Sequence, residues 1–329
     1  MARTRMAMAA VLGTIAVLAT ACYPPSQNPT GQAIPPGGRV VATGPLLTEM
    51  WIDDATDDLS KILYGQNDFV YDLRNPNRLW VYDDDTGTTT RVPMGRAELG
   101  HGSLSPDGRF VVFASNDRSL QVGPTAVNCV QLGHFLDPDV PYVCNELYLF
   151  DLETGEVRQL TGLDGSSEVN HAGPTFTADG QAIEFHSYPQ RVWSPTPTYH
   201  RLDLATGQVE DWTPTATPTT WDRGSHVVTW DAATQDLTSQ DKATGVVTTL
   251  WDEDEPFTFR SAIANGRYIV LSYWKTDRLE LFRLVDTDTG RVREVSSPWI
   301  SADGSTFALV QLNVLPDATD RLILAPLPE

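Results

Sequence analysis

Five Asp-Gly-like turns, each feeding a strand of mostly apolar residues, recur along this chain, and their spacing restricts the fold more than any other feature. They are Ser105-Pro106-Asp107-Gly108, Ala178-Asp179-Gly180, Asp222-Arg223-Gly224, Ala264-Asn265-Gly266 and Ala302-Asp303-Gly304. A second pattern, Asp-x-x-Thr-Gly behind a strand, runs in step with it at Asp83 to Gly87, Asp151 to Gly155, Asp203 to Gly207, Asp241 to Gly245 and Asp286 to Gly290. Glycine supplies the positive φ of a tight hairpin, and the Asp or Asn before it can bond its own backbone two residues on. The glycines at 180, 224, 266 and 304 lie 44, 42 and 38 residues apart. That is the period of a four-stranded propeller blade.

The interval from Gly108 to Gly180 is 72 residues, and the excess falls between Asn116 and Asn145. This segment holds Cys129 and Cys144, so it reads as an insertion (116–145) between two strands of one blade, pinned by a disulfide. Such a bridge closes a loop of about 15 residues and contributes on the order of 3 kcal/mol. Zinc is the weaker alternative, since only His134 lies between the cysteines. A further blade can be assembled upstream from Ile62 to Tyr64, Phe69 to Leu73, Leu79 to Asp83 and Thr88 to Val92. Arg321 to Ala325 lacks a Thr-Gly turn after it, and Arg39 to Ala42 can supply the missing outer strand. The fold class expected is therefore all-β, a propeller of six four-stranded blades closed by a terminal strand, with seven and five blades as alternatives. Leu46 to Leu63 alone has helical spacing, and strand and loop fit it equally well.

The first residues read as an export signal, 1–21, with Arg3 and Arg5 ahead of an apolar stretch. Ala19-Thr20-Ala21-Cys22 resembles a bacterial lipobox, which implies lipidation of Cys22; an ordinary secretory signal is the alternative. Residues 22–38, rich in proline, read as a solvated tether, leaving 39–329 for the propeller. Export places Cys129 and Cys144 in an oxidising compartment.

Ser105 to Ala114 together with Leu147 to Gly155 resembles the TolB-type propeller repeat, also called the WD40-like or PD40 repeat. The likeness is strongest over 105–160 and 175–212 and weakens after Asp222. It implies a periplasmic or surface-exposed protein-binding scaffold, here a lipoprotein held at the extracytoplasmic face of the membrane, with an envelope protein as partner. The chain carries 23 basic and 43 acidic residues, a net charge of −20, which argues against nucleic acid.

The motifs for chemistry are few. No Gly-x-Ser-x-Gly occurs and the repeat pattern runs on to the last residues, which speaks against a prolyl-oligopeptidase-like hydrolase. Phosphate-binding glycine loops are absent, so no nucleotide cofactor is expected. His101 and His171 lie just before innermost strands, with Glu98, Glu168 and Asn170 close in sequence, and these five are the candidates for a channel rim. Six-bladed lactonase-like enzymes hold calcium in such a place with Asp, Asn and Glu, making a calcium-dependent hydrolase or lyase the alternative function. No catalytic residue and no metal ligand is assigned. The acidic runs, Asp53-Asp54 among them, read as solvated turns. Of nine tryptophans, most read as packing between blades; Trp193 and Trp212 flank Pro/Thr-rich loops and are the candidates for glycan contact.

Overall fold

The computed structural model describes residues 34–44, 48–68, 78–94, 101–120, 144–163, 169–189, 197–213, 219–231, 234–251, 258–263, 266–276, 279–295, 297–311 and 320–327. The strands are, in chain order, β1 (Arg39–Thr43), β2 (Thr48–Ala55), β3 (Lys61–Asp68), β4 (Arg78–Asp83), β5 (Thr88–Arg91), β6 (Gly102–Leu104), β7 (Phe110–Ser115) and β8 (Glu146–Asp151). There follow β9 (Val157–Gln159), β10 (Val169–Phe176), β11 (Ala182–Pro189), β12 (Thr198–Asp203), β13 (Val209–Asp211), β14 (Thr219–Asp222), β15 (His226–Asp231) and β16 (Asp236–Asp241). The last are β17 (Val247–Trp251), β18 (Thr258–Ile263), β19 (Tyr268–Thr276), β20 (Leu279–Asp286), β21 (Arg291–Val295), β22 (Trp299–Ile300), β23 (Thr306–Gln311) and β24 (Arg321–Pro326). They form six four-stranded antiparallel sheets, the blades of a six-bladed β-propeller. Blades one to five are β2–β5, β6–β9, β10–β13, β14–β17 and β18–β21. The sixth takes β22, β23 and β24 and is completed by β1 from the other end of the chain. Arg39 faces Leu324 in that pairing, and the Gly44 N–H donates to the Asp320 carbonyl at 2.9 Å. Residues 34–38, expected in the tether, make a turn into β1 in which the Gly38 N–H donates to the Pro35 carbonyl.

Both recurring turns work as their residues require. In the Asp-x-x-Thr-Gly turn the Asp carboxylate accepts the next backbone N–H groups and the Thr hydroxyl; at Asp203 these are Ala205, Thr206 and Thr206 Oγ1, at 2.7–3.0 Å. The glycine N–H then donates to the Asp carbonyl, as Gly207 does at 2.8 Å. In the other turn Ser105 Oγ donates to Asp107 and accepts the Phe110 N–H, while Gly108 takes φ 68°. The same bonds join Thr56, Asp58, Ser60 and Lys61, with Leu59 at φ 59° in the glycine's place. Within Leu46 to Leu63, the described residues from Thr48 on are thus a strand, this turn and the start of the next strand.

The chain divides into two compact units, Leu47–Thr215 and Met1–Leu46 with Ala216–Glu329. In the first, successive residues of β7 point to opposite faces. Val111 and Phe113 pack with Leu63, Leu79 and Val81 of blade one, and Val112 and Ala114 with Ile183, Phe185 and Leu202 of blade three. In the second unit Val228, Trp230 and Leu237 meet Ile269, Leu271 and Val285, and Val270, Phe282 and Leu284 meet Phe307, Leu309 and Ile323. A polar clasp adds to this second unit: Asp288 accepts Arg223 through both Nε and Nη2, at 3.3 and 3.0 Å, with Arg267 at 3.6 Å. Within the first unit β7 and β8 pair from Phe110↔Asp151 to Ser115↔Glu146, so the chain between them leaves and rejoins the sheet at one end.

Candidate functional site

The first unit brings two carboxylates close to a histidine each, Asp53 of β2 with His101 just ahead of β6, and Glu146 of β8 with His171 of β10. Near the first pair, a register shift in β2 between Ile52 and Asp54 lets two consecutive aspartates face β6, where a regular strand would send them to opposite sides. Asp54 accepts the Ser103 hydroxyl at 2.7 Å and the Leu104 N–H at 2.8 Å. Ser103 Oγ in turn accepts the Phe176 N–H at 3.4 Å, so one hydroxyl links β2, β6 and β10. Burial pushes the Asp54 carboxyl above the usual range against these donors. The sequence reading of Asp53-Asp54 as a solvated turn is therefore corrected: both lie in a strand with their carboxylates engaged.

Asp53 carries the first pair. Its Oδ1 lies 2.9 Å from Nδ1 of His101 and accepts the Trp51 indole N–H, also at 2.9 Å. The Asp53 side chain is 6% exposed and that of His101 64%. Its Oδ2 is buried with no hydrogen-bond partner among the described residues. The bond to Asp53 raises the His101 pKa above its ordinary value. Above that value the imidazole holds its proton on Nδ1 and turns Nε2 outward as a base. Trp51 lies flat on Gly65, where a Cβ would overlap the indole.

The second pair is Glu146 with His171. Glu146 opens β8 and is buried; the Thr161 hydroxyl donates to it at 2.6 Å while accepting the Leu147 N–H at 2.9 Å. His171 Nε2 is 3.6 Å from the carboxylate, too long for a hydrogen bond, and its ring edge meets Phe185 at 5.3 Å. Burial, with a smaller contribution from His200, pushes the His171 pKa down to about 4, so the ring is neutral at pH 7.

Of the expected rim residues, His101 does lie just before β6. His171 and Asn170 fall inside β10, not ahead of it, because β10 begins at Val169. Asn170 Oδ1 accepts the Asn145 N–H at 3.1 Å, tying β10 to the approach to β8. Glu98, Glu168, Trp193, Cys22 and Cys129 lie outside the described residues; Cys144 is fully buried next to β8. Trp212 is half-buried, edge-on to Tyr199 at 6.2 Å. Among the described residues no three of His, Cys, Asp and Glu come together to hold a metal ion. The sequence reading missed Asp53, Trp51, Ser103, Glu146 and Thr161. A signal was present in Glu146, a charged residue directly heading the apolar run Leu147 to Phe150.

No protein-family model matches the chain, and no curated protein does. Similar solved structures include TolB from Acinetobacter baumannii, at 19% identity over 85% of this chain and 55% of that one, with a TM-score of 0.39. An oligogalacturonate lyase in complex with manganese is 15% identical over 88% of this chain and 98% of that one, TM-score 0.41. The acylaminoacyl peptidase of Pyrococcus horikoshii is 10% identical over 80% of this chain and 42% of that one, TM-score 0.37. The chain spans about half the length of the TolB and less than half that of the peptidase. TolB, whose repeat the turn residues resemble, is thus among the proteins to which this β-propeller is similar.

Proposed function

We propose that this protein is an exported, membrane-anchored scaffold that binds another protein through the segment interrupting its second blade, and that it catalyses no reaction. The observation that carries this reading is the unbroken register of β7 and β8 up to Ser115↔Glu146. Residues 116–145 emerge from one end of a sheet whose two middle strands are buried. Recognition concentrates in segments that a rigid scaffold carries. A Cys129–Cys144 bridge would hold it further. Lipidation at Cys22 would keep the propeller at the membrane, and the net charge of −20 favours a basic partner and salt-sensitive association.

The test is crosslinking in the native membrane, comparing the wild type with a variant whose residues 121–143 are replaced by a short Gly-Ser linker. The expected result is a specific crosslinked protein that the variant loses while keeping its far-UV circular dichroism. Intact mass should begin at acylated Cys22, two hydrogens lighter for the bridge. Retention of the partner by the variant overturns the reading. One observation favours a second reading: the exposed His101 imidazole held by buried Asp53 has the arrangement of a general base. Turnover of lactones or glycans that His101→Gln abolishes would put that hydrolase or lyase first.

A further inference from the structure

We infer that the outer edge of the fourth blade, β17, is a docking edge for an extended, basic segment of a partner protein, which adds to the sheet as a fifth strand. The argument is a comparison of the six outer strands. An unpaired edge offers a row of free N–H and C=O groups, and proteins usually blunt it with charge. Five of the six do so: β5 carries Arg91, β9 Arg158, β13 Glu210 and Asp211, β21 Arg291, Arg293 and Glu294, and β1 Arg39. The exception is β17, Val247-Thr248-Thr249-Leu250-Trp251. Val246 just ahead of it and Val247 at its start are 59% and 58% exposed, among the most exposed large apolar side chains described.

The ladder fixes which groups face outward. The Asp241 N–H donates to the Val246 carbonyl at 2.9 Å, and Val247, Thr248 and Thr249 stand opposite Gln240, Ser239 and Thr238. Antiparallel residues alternate between the two sides, so Thr248 bonds to β16 while Val247 and Thr249 present N–H and C=O to solvent. The register shift comes only after Thr249, so this stretch is regular.

Charge selects the occupant. The neighbouring β16 begins and ends with Asp236 and Asp241, both exposed, and the chain carries a net charge of −20. A strand alternating Lys or Arg with apolar residues satisfies the backbone groups, covers the valines and meets this acidity. A second copy of the chain would bring two charges of −20 together, which disfavours it. The inference does not depend on the role of residues 116–145.

The test uses the full chain and two fluorescein-labelled dodecapeptides of equal charge, one alternating Lys with Val and the other Lys with Pro, read by fluorescence anisotropy. The Lys-Val peptide should bind at least tenfold more tightly. Thr249→Pro removes an outward N–H without removing a bond to β16, and it should erase the difference between peptides while Thr249→Val keeps it. Val247→Lys, which leaves the backbone free to fold, should weaken the Lys-Val peptide severalfold. Equal binding of both peptides, or a difference that persists in a Thr249→Pro protein of native circular dichroism, overturns the inference. So does a concentration-dependent dimer in sedimentation that Thr249→Pro dissolves, since the edge would then serve a second copy.

Discussion

The second and fourth blades share one backbone plan and differ in what fills it. Each closes its third and fourth strands with the same turn: Asp151 and Asp241 accept the Thr154 and Thr244 N–H groups, and Gly155 and Gly245 donate to the Asp carbonyls at 2.8 Å. Yet β7 reads Phe-Val-Val-Phe-Ala-Ser and is almost wholly buried, while β15 reads His-Val-Val-Thr-Trp-Asp with only Val228 and Trp230 buried. Glu146 heads β8 in the interior and Asp236 heads β16 in solvent. Turn chemistry is therefore enough to set a blade, and the packing that varies from blade to blade sets how firmly it is held.

The largest test of this contrast lies one residue past the shared Val-Val pair. Phe113 is fully buried and stacks on Tyr148 across the strands, centroids 5.6 Å apart. Phe113→Ala should cost about 3–5 kcal/mol in urea unfolding. Thr229, the counterpart counted from Gly224, is only partly buried, and Thr229→Ala should cost under about 1 kcal/mol. Similar losses at both would break the distinction.

The second test concerns the two carboxylates that open the third strands. Glu146 faces His171, whose pKa burial holds at about 4 against 6.5 in the unfolded chain. As pH falls from about 6.5 to about 4, the unfolded chain takes up a proton that the folded protein refuses. The stability present above 6.5 is lost across that window, about 3 kcal/mol in all. His171→Phe should flatten this part of the stability–pH curve measured by denaturant titration. Asp236→Asn, at an exposed position in the fourth blade, should change stability by no more than about 0.5 kcal/mol at pH 7.

The same contrast explains what could be read in the sequence. Blades whose turns carry Asp and Gly were legible, because that chemistry is local and does not depend on the rest of the fold. So was the closing strand at Arg39 to Ala42, from the Thr-Gly turn missing after β24. The first strand pair of blade one was not, because its turn places Leu59 at φ 59° where the other blades use glycine. Leu59 keeps the place by burying its side chain at 3% exposure. Leu59→Gly should relieve backbone strain of about 1 kcal/mol but forfeit about 2–3 kcal/mol of burial, a net loss of about 1–2 kcal/mol. The pairs at Asp53 and Glu146 were illegible for another reason. His101 comes 48 residues after Asp53 and His171 follows Glu146 by 25, so only the fold brings them near.

The smallest effect is the sharpest probe of the shared plan. Gly155 and Gly245 have φ of 74° and 73°, and a Cβ added at either meets nothing within 4 Å. Alanine at these positions should therefore cost backbone strain and nothing else, about 1 kcal/mol each in the left-handed region. The costs should agree to within about 0.3 kcal/mol, although one blade is nearly all apolar inside and the other is not. Arg109 adds a contact at Asp151, donating to it at 2.8 Å and holding its pKa at about 2, but that bond leaves the glycine untouched. Unequal losses in paired denaturant titrations would mean that the turn draws on the core behind it, and the repeat would then be a packing motif, not a backbone one.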